Sequence, residues 1–230
     1  MKHLTIGLGC LALSACATAP EAWSPRVAPT SDRINNYGQV IVPPGALVVF
    51  QGDDLFYGTR PQRRPAPDGA VSQSRHAPPM VAARALGGSV KVEARTHPGD
   101  TVRAGAARWA GKPFGAVLVL SYAYGDALAK TPRDQYKAAL SALVAQARSA
   151  GAVVFLVPPP NSDDGRLTDA LNPYRDVMRE LRAPEVLILE GGALLGANRE
   201  PQTRTVGQTD GAYRAIAGGV VTYVRVAPRP

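Results

Sequence analysis

The chain has 230 residues, 45% of them hydrophobic, and carries 26 Lys and Arg against 18 Asp and Glu, a formal net charge of +8. That is enough apolar material for a full-sized core, and both cysteines, Cys10 and Cys16, lie near the amino terminus. A disulfide framework, a thiolate nucleophile and cysteine ligation of a metal are therefore excluded from everything after residue 16.

The amino terminus reads as an export signal. Met1-Lys2-His3 gives a short positive start and residues 4–13 an apolar run, shorter than the roughly 20 residues a membrane-spanning helix needs. Leu13-Ser14-Ala15-Cys16 resembles a bacterial lipobox. The resemblance implies a lipoprotein signal peptide over 1–15 and a membrane anchor, palmitate included, on Cys16. Ala17, where no aspartate stands, points to the outer membrane, facing the periplasm. An ordinary signal peptide cleaved elsewhere is the alternative. Residues 16–44, with Pro20, Pro25 and Pro29, read as a tether, and 45–230 as a single domain.

In chain order, Val40-Ile41-Val42, followed by Pro43-Pro44, is at most a short edge piece. Residues 46–50 form the first strand, which delivers Gly52-Asp53-Asp54-Leu55 into a tight turn. Residues 59–79, dense in Pro, Arg, Gln and Ser, read as a long irregular loop of the kind that often carries function. A short helix over 80–86 ends at Gly87-Gly88, and 90–94 alternates like a strand. A helix through Trp109 follows, with Asp100 or Thr101 as its N-cap. The apolar run 116–120 predicts a strand buried on both faces.

Pro132 opens a helix with Ala139, Leu140, Leu143, Val144 and Ala147 on one face, closed by Gly151. A strand over 152–157 stops at Pro158-Pro159-Pro160, and a helix over 167–181 is expected to be interrupted near Pro173. A strand over 186–189 precedes Gly191-Gly192 and an irregular segment, and a helix over about 211–225 ends the chain. Apolar strands alternating with helices predict an α/β three-layer sandwich with a mostly parallel five-stranded sheet. In such sheets chemistry sits at the carboxyl ends of the strands.

Four stretches in order resemble the sequence blocks of the SGNH/GDSL hydrolases. Gly52-Asp53-Asp54-Leu55 is similar to Gly-Asp-Ser-Leu, with Asp54 at the place of the nucleophilic serine. In residues 95–102, Gly99 stands where the family lends a backbone N–H to the oxyanion hole. Tyr122-Ala123-Tyr124-Gly125-Asp126 is similar to Gly-x-Asn-Asp, with Gly125 at the oxyanion asparagine and Asp126 at the aspartate. For Asp-x-x-His two registers exist: Asp210 with Tyr213, or Arg204 with Gly207. No histidine occurs after His97. The resemblance implies the SGNH fold; an unrelated flavodoxin-like domain is the alternative.

Acyl transfer needs a hydroxyl nucleophile, a base and donors aimed at the developing oxyanion. A carboxylate at Asp54 sets a second negative charge beside that oxyanion. At about 4 Å and an effective dielectric near 20 the repulsion is about 4 kcal/mol, enough to cancel a donor contributing roughly 3 kcal/mol.

Several readings stay open. His97, or more weakly His76, is a substitute base, or simply exposed. Asp53, Asp54 and Asp126 form an acid/base or hard-cation cluster, or serve as turn and helix caps. Tyr57, Tyr122 and Tyr124 at the cleft mouth, with Arg60, Arg63 and Arg64 beside them, suit a sugar or acidic glycan, or are strand-end packing and a solvated loop. No cofactor and no metal is called for. The basic charge of an exported protein fits acidic polysaccharide or lipid headgroups better than nucleic acid. The expected function is an SGNH-like envelope lipoprotein that lacks ordinary esterase activity and binds or scaffolds glycan or acylated polysaccharide. The alternatives are an active carbohydrate esterase or acyltransferase with non-standard residues, and a structural lipoprotein that contacts another envelope protein through residues 59–79.

Overall fold

A computed structural model describes residues 33–60, 71–162, 164–195 and 208–228. The lipobox and Cys16, the prolines of the expected tether, Arg63, Arg64, Arg204 and Gly207 lie outside the described residues.

Five parallel strands form the central sheet: β2 (Leu47–Gly52), β3 (Lys91–Thr96), β4 (Val117–Ser121), β5 (Val153–Leu156) and β6 (Val186–Ile188), in the order β3-β2-β4-β5-β6. Every residue of β4, β5 and β6 is buried. Their β-branched and leucine runs have no polar face because helices cover both sides. β3 is the edge strand beyond β2, and most of its residues are partly or fully exposed.

The helices are α1 (Asp54–Tyr57), α2 (Pro78–Ala85), α3 (Val102–Arg108), α4 (Tyr124–Leu128), α5 (Arg133–Ser149), α6 (Gly165–Glu180), α7 (Gly191–Leu194) and α8 (Asp210–Thr222). α2 packs on α8, while α5 lies between α3 and α6, so the sheet is sandwiched between two helical layers. The strand order reverses between β2 and β4, and both strands end at Asp53, Ser121 and Ala123. This is the switch point at which such sheets build sites.

Several expectations are refined. Val40–Val42 is the three-residue strand β1, paired in parallel with β7 (Val224–Val226) outside the central sheet. Val40 and Val42 turn into the core and Ile41 outward, and Pro43 and Pro44 follow the strand, so the ladder loses no donor. Ile34 is also buried, and Arg33 pairs with Glu185 at 2.7 Å. Residues 33–42, which the sequence reads as part of a tether, thus pack on and pair with the rest of the domain. The last helix stops at Thr222 rather than running to 225, because Val224 and Val226 serve β7.

α6 passes through Pro173 without a break. Its buried face (Leu171, Tyr174, Arg175, Val177, Met178) continues across the proline, and the packing offsets the missing N–H. After β6 the chain forms the short helix α7 instead of an irregular segment. The helix expected over 80–86 begins two residues earlier, with prolines in its first turn, where their missing N–H groups cost nothing.

Candidate functional site

Gly52 ends β2 against β4: a Cβ there would stand 2.3 Å from the carbonyl O of Ser121, so only glycine allows the approach. Asp53 follows and locks the two strand ends together. Its backbone N–H donates to Ser121 O at 3.1 Å. Its Oδ2 accepts from the N–H groups of Ala123 (2.9 Å) and Gly125 (3.1 Å), and Oδ1 from Leu55 at 3.4 Å as the N-cap of α1. Burial, and then the neighbouring Asp54 charge, push the Asp53 carboxyl up to about 8, against the three backbone donors that favour its ionised form.

Asp54 is 3% exposed, and both of its oxygens are occupied. Oδ1 accepts from Thr59 Oγ1 at 2.7 Å, and Oδ2 accepts from the backbone N–H of Gly99 at 2.8 Å. Gly99 has φ +75°, a conformation open to glycine at little cost. The N–H that the family resemblance assigns to an oxyanion is thus taken by the carboxylate standing at the nucleophile's place.

In the register that matches Asp210 to the last block, Tyr213 stands at the histidine's place. Tyr213, three residues after Asp210, is fully buried; its hydroxyl donates to Thr59 O at 2.6 Å and accepts from Gln208 N–H at 3.0 Å. Thr59 in turn bonds Asp54. Where a Ser–His relay would pass a proton, a buried Asp54–Thr59–Tyr213 series holds the turn, α8 and the preceding loop together.

Gly125 leaves no room for a side chain of any kind. A Cβ there would meet the carbonyl O of Asp100 at 2.1 Å and that of Gly99 at 2.7 Å. The missing asparagine reflects a backbone contact that has closed over its position, not a lost side chain alone.

Asp126 points elsewhere. Its Oδ2 accepts from Val102 N–H at 2.8 Å at the start of α3, and burial raises its pKa above the ordinary carboxylate range. Among the described residues no three His, Cys, Asp or Glu side chains are grouped to hold a metal ion. The three carboxylates are thus not grouped as a cation site, and Asp53 and Asp126 accept backbone N–H groups as cap and strand-end residues.

The tyrosine platform is also corrected. Tyr122 and Tyr124 have no exposed surface, since the strand end tucks them under the helices; Tyr124 accepts from Gln208 Nε2 at 3.2 Å. Neither can stack on a sugar. Tyr57 alone of the three is partly exposed.

Of the two histidines weighed as bases, His97 is half exposed and faces Asp100, Nδ1 to Oδ1 3.3 Å. Arg108 grips that Asp100 with two bonds, 2.8 and 2.9 Å. His76 is better placed. Its Nδ1 lies 3.2 Å from Asp210 Oδ2, the Ser74 hydroxyl donates to Asp210 Oδ1, and Arg60 stands 3.9 Å away. The Ser74 hydrogen bond, with His76 and Arg60 behind it and burial opposing, holds the Asp210 carboxyl below its usual range.

An Asp–His pair thus exists, with its histidine drawn from the segment before α2 and not from Asp-x-x-His. Sequence reasoning missed this pairing, along with Ser74, Thr59 and Gln208. The partners are up to 154 residues apart, and no spacing rule links them.

The fold has solved relatives. Residues amounting to 77% of the chain superpose on 98% of a protein assigned to the G-D-S-L lipolytic family from Desulfitobacterium hafniense, with TM-score 0.60 and 16% identity. A carbohydrate acetylesterase family member from Sinorhizobium meliloti matches over 76% of this chain and 95% of its own, with TM-score 0.57 and 19% identity. An acetylxylan esterase from Geobacillus stearothermophilus matches over 79% and 95%, with TM-score 0.60 and 15% identity. No protein-family profile and no curated protein matches the chain. At these identities the likeness is one of fold: the domain is SGNH/GDSL hydrolase-like.

Proposed function

We propose that this chain is an SGNH-hydrolase-like lipoprotein of the bacterial envelope, anchored at Cys16, that does not run ordinary ester hydrolysis and works by binding or scaffolding a glycan or acylated polysaccharide. The observation that carries the loss of hydrolysis is the 2.8 Å bond from Gly99 N–H to Asp54 Oδ2. A substrate carbonyl entering there meets a carboxylate in place of a hydroxyl and finds the donor already used, so neither attack nor oxyanion stabilisation is supplied. The glycan class draws support from the net charge of +8 and from the acetylesterases that share the fold.

Two assays test it. The purified protein is expected to hydrolyse p-nitrophenyl acetate no faster than buffer; turnover that disappears in Asp54→Ala would overturn the reading. Retention on an acidic polysaccharide is expected to fall as salt rises. No retention, together with a co-purifying envelope protein, would replace glycan binding by protein scaffolding.

A second reading rests on the His76–Asp210 pair. An imidazole oriented by a carboxylate is the base of many hydrolases, and here it favours residual deacylation with non-standard residues. Turnover that survives in Asp54→Ala and is lost in His76→Ala is its expected mark.

A further inference from the structure

Away from the Asp54 turn, on the helical layer of α3 and α5, a pocket of about 620 Å³ opens beside the loop before β4. Gln51 lines it from β2, Trp109 and Phe114 from the loop, and Leu143 and Gln146 from α5. Its walls are largely apolar, as in small-molecule sites, and the polar groups are few and placed together.

Two of those groups are donors without an acceptor. Gln51 is 1% exposed and its Nε2 has no partner; Trp109 Nε1 has none either. Arg95 is Gln51's partner across the β2–β3 ladder and is likewise 1% exposed. Its Nε and Nη2 are held by Glu93, and Nη2 also donates to the carbonyl O of Pro113 in the pocket wall at 2.8 Å, but Nη1 is buried and unpartnered. The Tyr122 hydroxyl, itself buried, lies beside the Gln51 amide. Lys112 adds a cation at the rim. Buried donors are nearly always matched in folded proteins, and two orphans in the wall of one pocket mark a place where an acceptor is missing.

We propose that this pocket binds an amphiphilic carboxylate, a small molecule with an acceptor-only anionic head and an apolar body. The head would accept from Gln51 Nε2, with Trp109 Nε1 and Lys112 as the surrounding donors, and the body would lie on Phe114, Leu143 and Ala106. An ammonium head would leave the Gln51 and Trp109 donors unmatched and would meet the Lys112 cation at the rim, so the site favours the carboxylate.

The probe is sodium octanoate, titrated into the full chain carrying Trp23→Phe, so that Trp109 is the sole indole and reports through its fluorescence. Saturable quenching or shift is expected with octanoate and not with octylammonium. Gln51→Leu, which removes one donor at nearly constant volume, is expected to weaken octanoate binding at least tenfold with an unchanged melting curve. Gln51→Glu is expected to reverse the preference toward octylammonium. No saturable response to octanoate, equal binding of the two heads, or undiminished octanoate affinity in folded Gln51→Leu would each overturn the proposal.

Discussion

Asp54 accepts one buried and one backbone hydrogen bond, so removing its carboxylate strands the Thr59 hydroxyl inside the protein. Asp54→Ala is expected to lower unfolding free energy by about 1–3 kcal/mol, the usual range for a deserted buried partner, as measured by urea titration. A loss-free variant would mean that the carboxylate is retained for chemistry and not for structure. Asp53 works in the opposite sense with pH. Its folded pKa, about 8, lies above its unfolded value near 3.8. Its contribution is full below about pH 4 and is lost as the pH rises through about 8, where ionisation in a buried site becomes unfavourable. Asp53→Asn keeps a carbonyl for Ala123 and Gly125 and cannot ionise. The variant is expected to flatten the wild-type decline in urea midpoint between pH 5 and 8; parallel pH profiles would refute the assignment. Gly125→Ala is expected to destabilise severely, since its Cβ would meet a backbone carbonyl at 2.1 Å, an atom no rotamer change can move.

At the level of elements, α6 carries the most direct test. Pro173 lies in its interior on the exposed side, where it deletes a helix hydrogen bond worth restoring. Pro173→Ala is expected to raise the melting temperature by about 2–4 °C for each kcal/mol regained in a chain of this size; a lower temperature would show that the proline is required by the fold. The same helix shows how legibility was limited. A proline inside an amphipathic run reads as a break because local propensity is all that a single chain displays, whereas the buried face that carries α6 through it is tertiary. β4, β5 and α5 were readable because each buries a continuous face, and burial writes itself into composition. β1 and β7 were not, being three residues each and paired across 184 positions of chain. The site divides in the same way: Asp53, Asp54 and Gly99 were legible from their turns, but the partners Thr59, Ser74, His76 and Tyr213 meet only through the fold. The burial of Tyr122 and Tyr124 was equally hidden, because an aromatic at a strand end looks the same in sequence whether it faces ligand or core.

For the molecule as a whole, the SGNH-like fold is kept while its three chemical places are occupied by structural contacts: a carboxylate on the Gly99 donor, a backbone carbonyl against Gly125, and a packed tyrosine hydroxyl at residue 213. On the proposed reading such replacements stabilise a turn that in a working hydrolase must stay open and partly unsatisfied. The proposed reading implies that a lone serine at position 54 does not confer ester cleavage, since Gly125 admits no asparagine and Tyr213 still bridges Thr59 and Gln208. Asp54→Ser is expected to show no gain in ester turnover unless His76 reaches the new hydroxyl, which His76→Ala in the same background would reveal. The most direct test of the central claim is acetate release from an acetylated polysaccharide, followed side by side for the wild-type chain and Asp54→Ala. Both are expected to match the protein-free rate; release by the wild type that vanishes in Asp54→Ala would contradict the account.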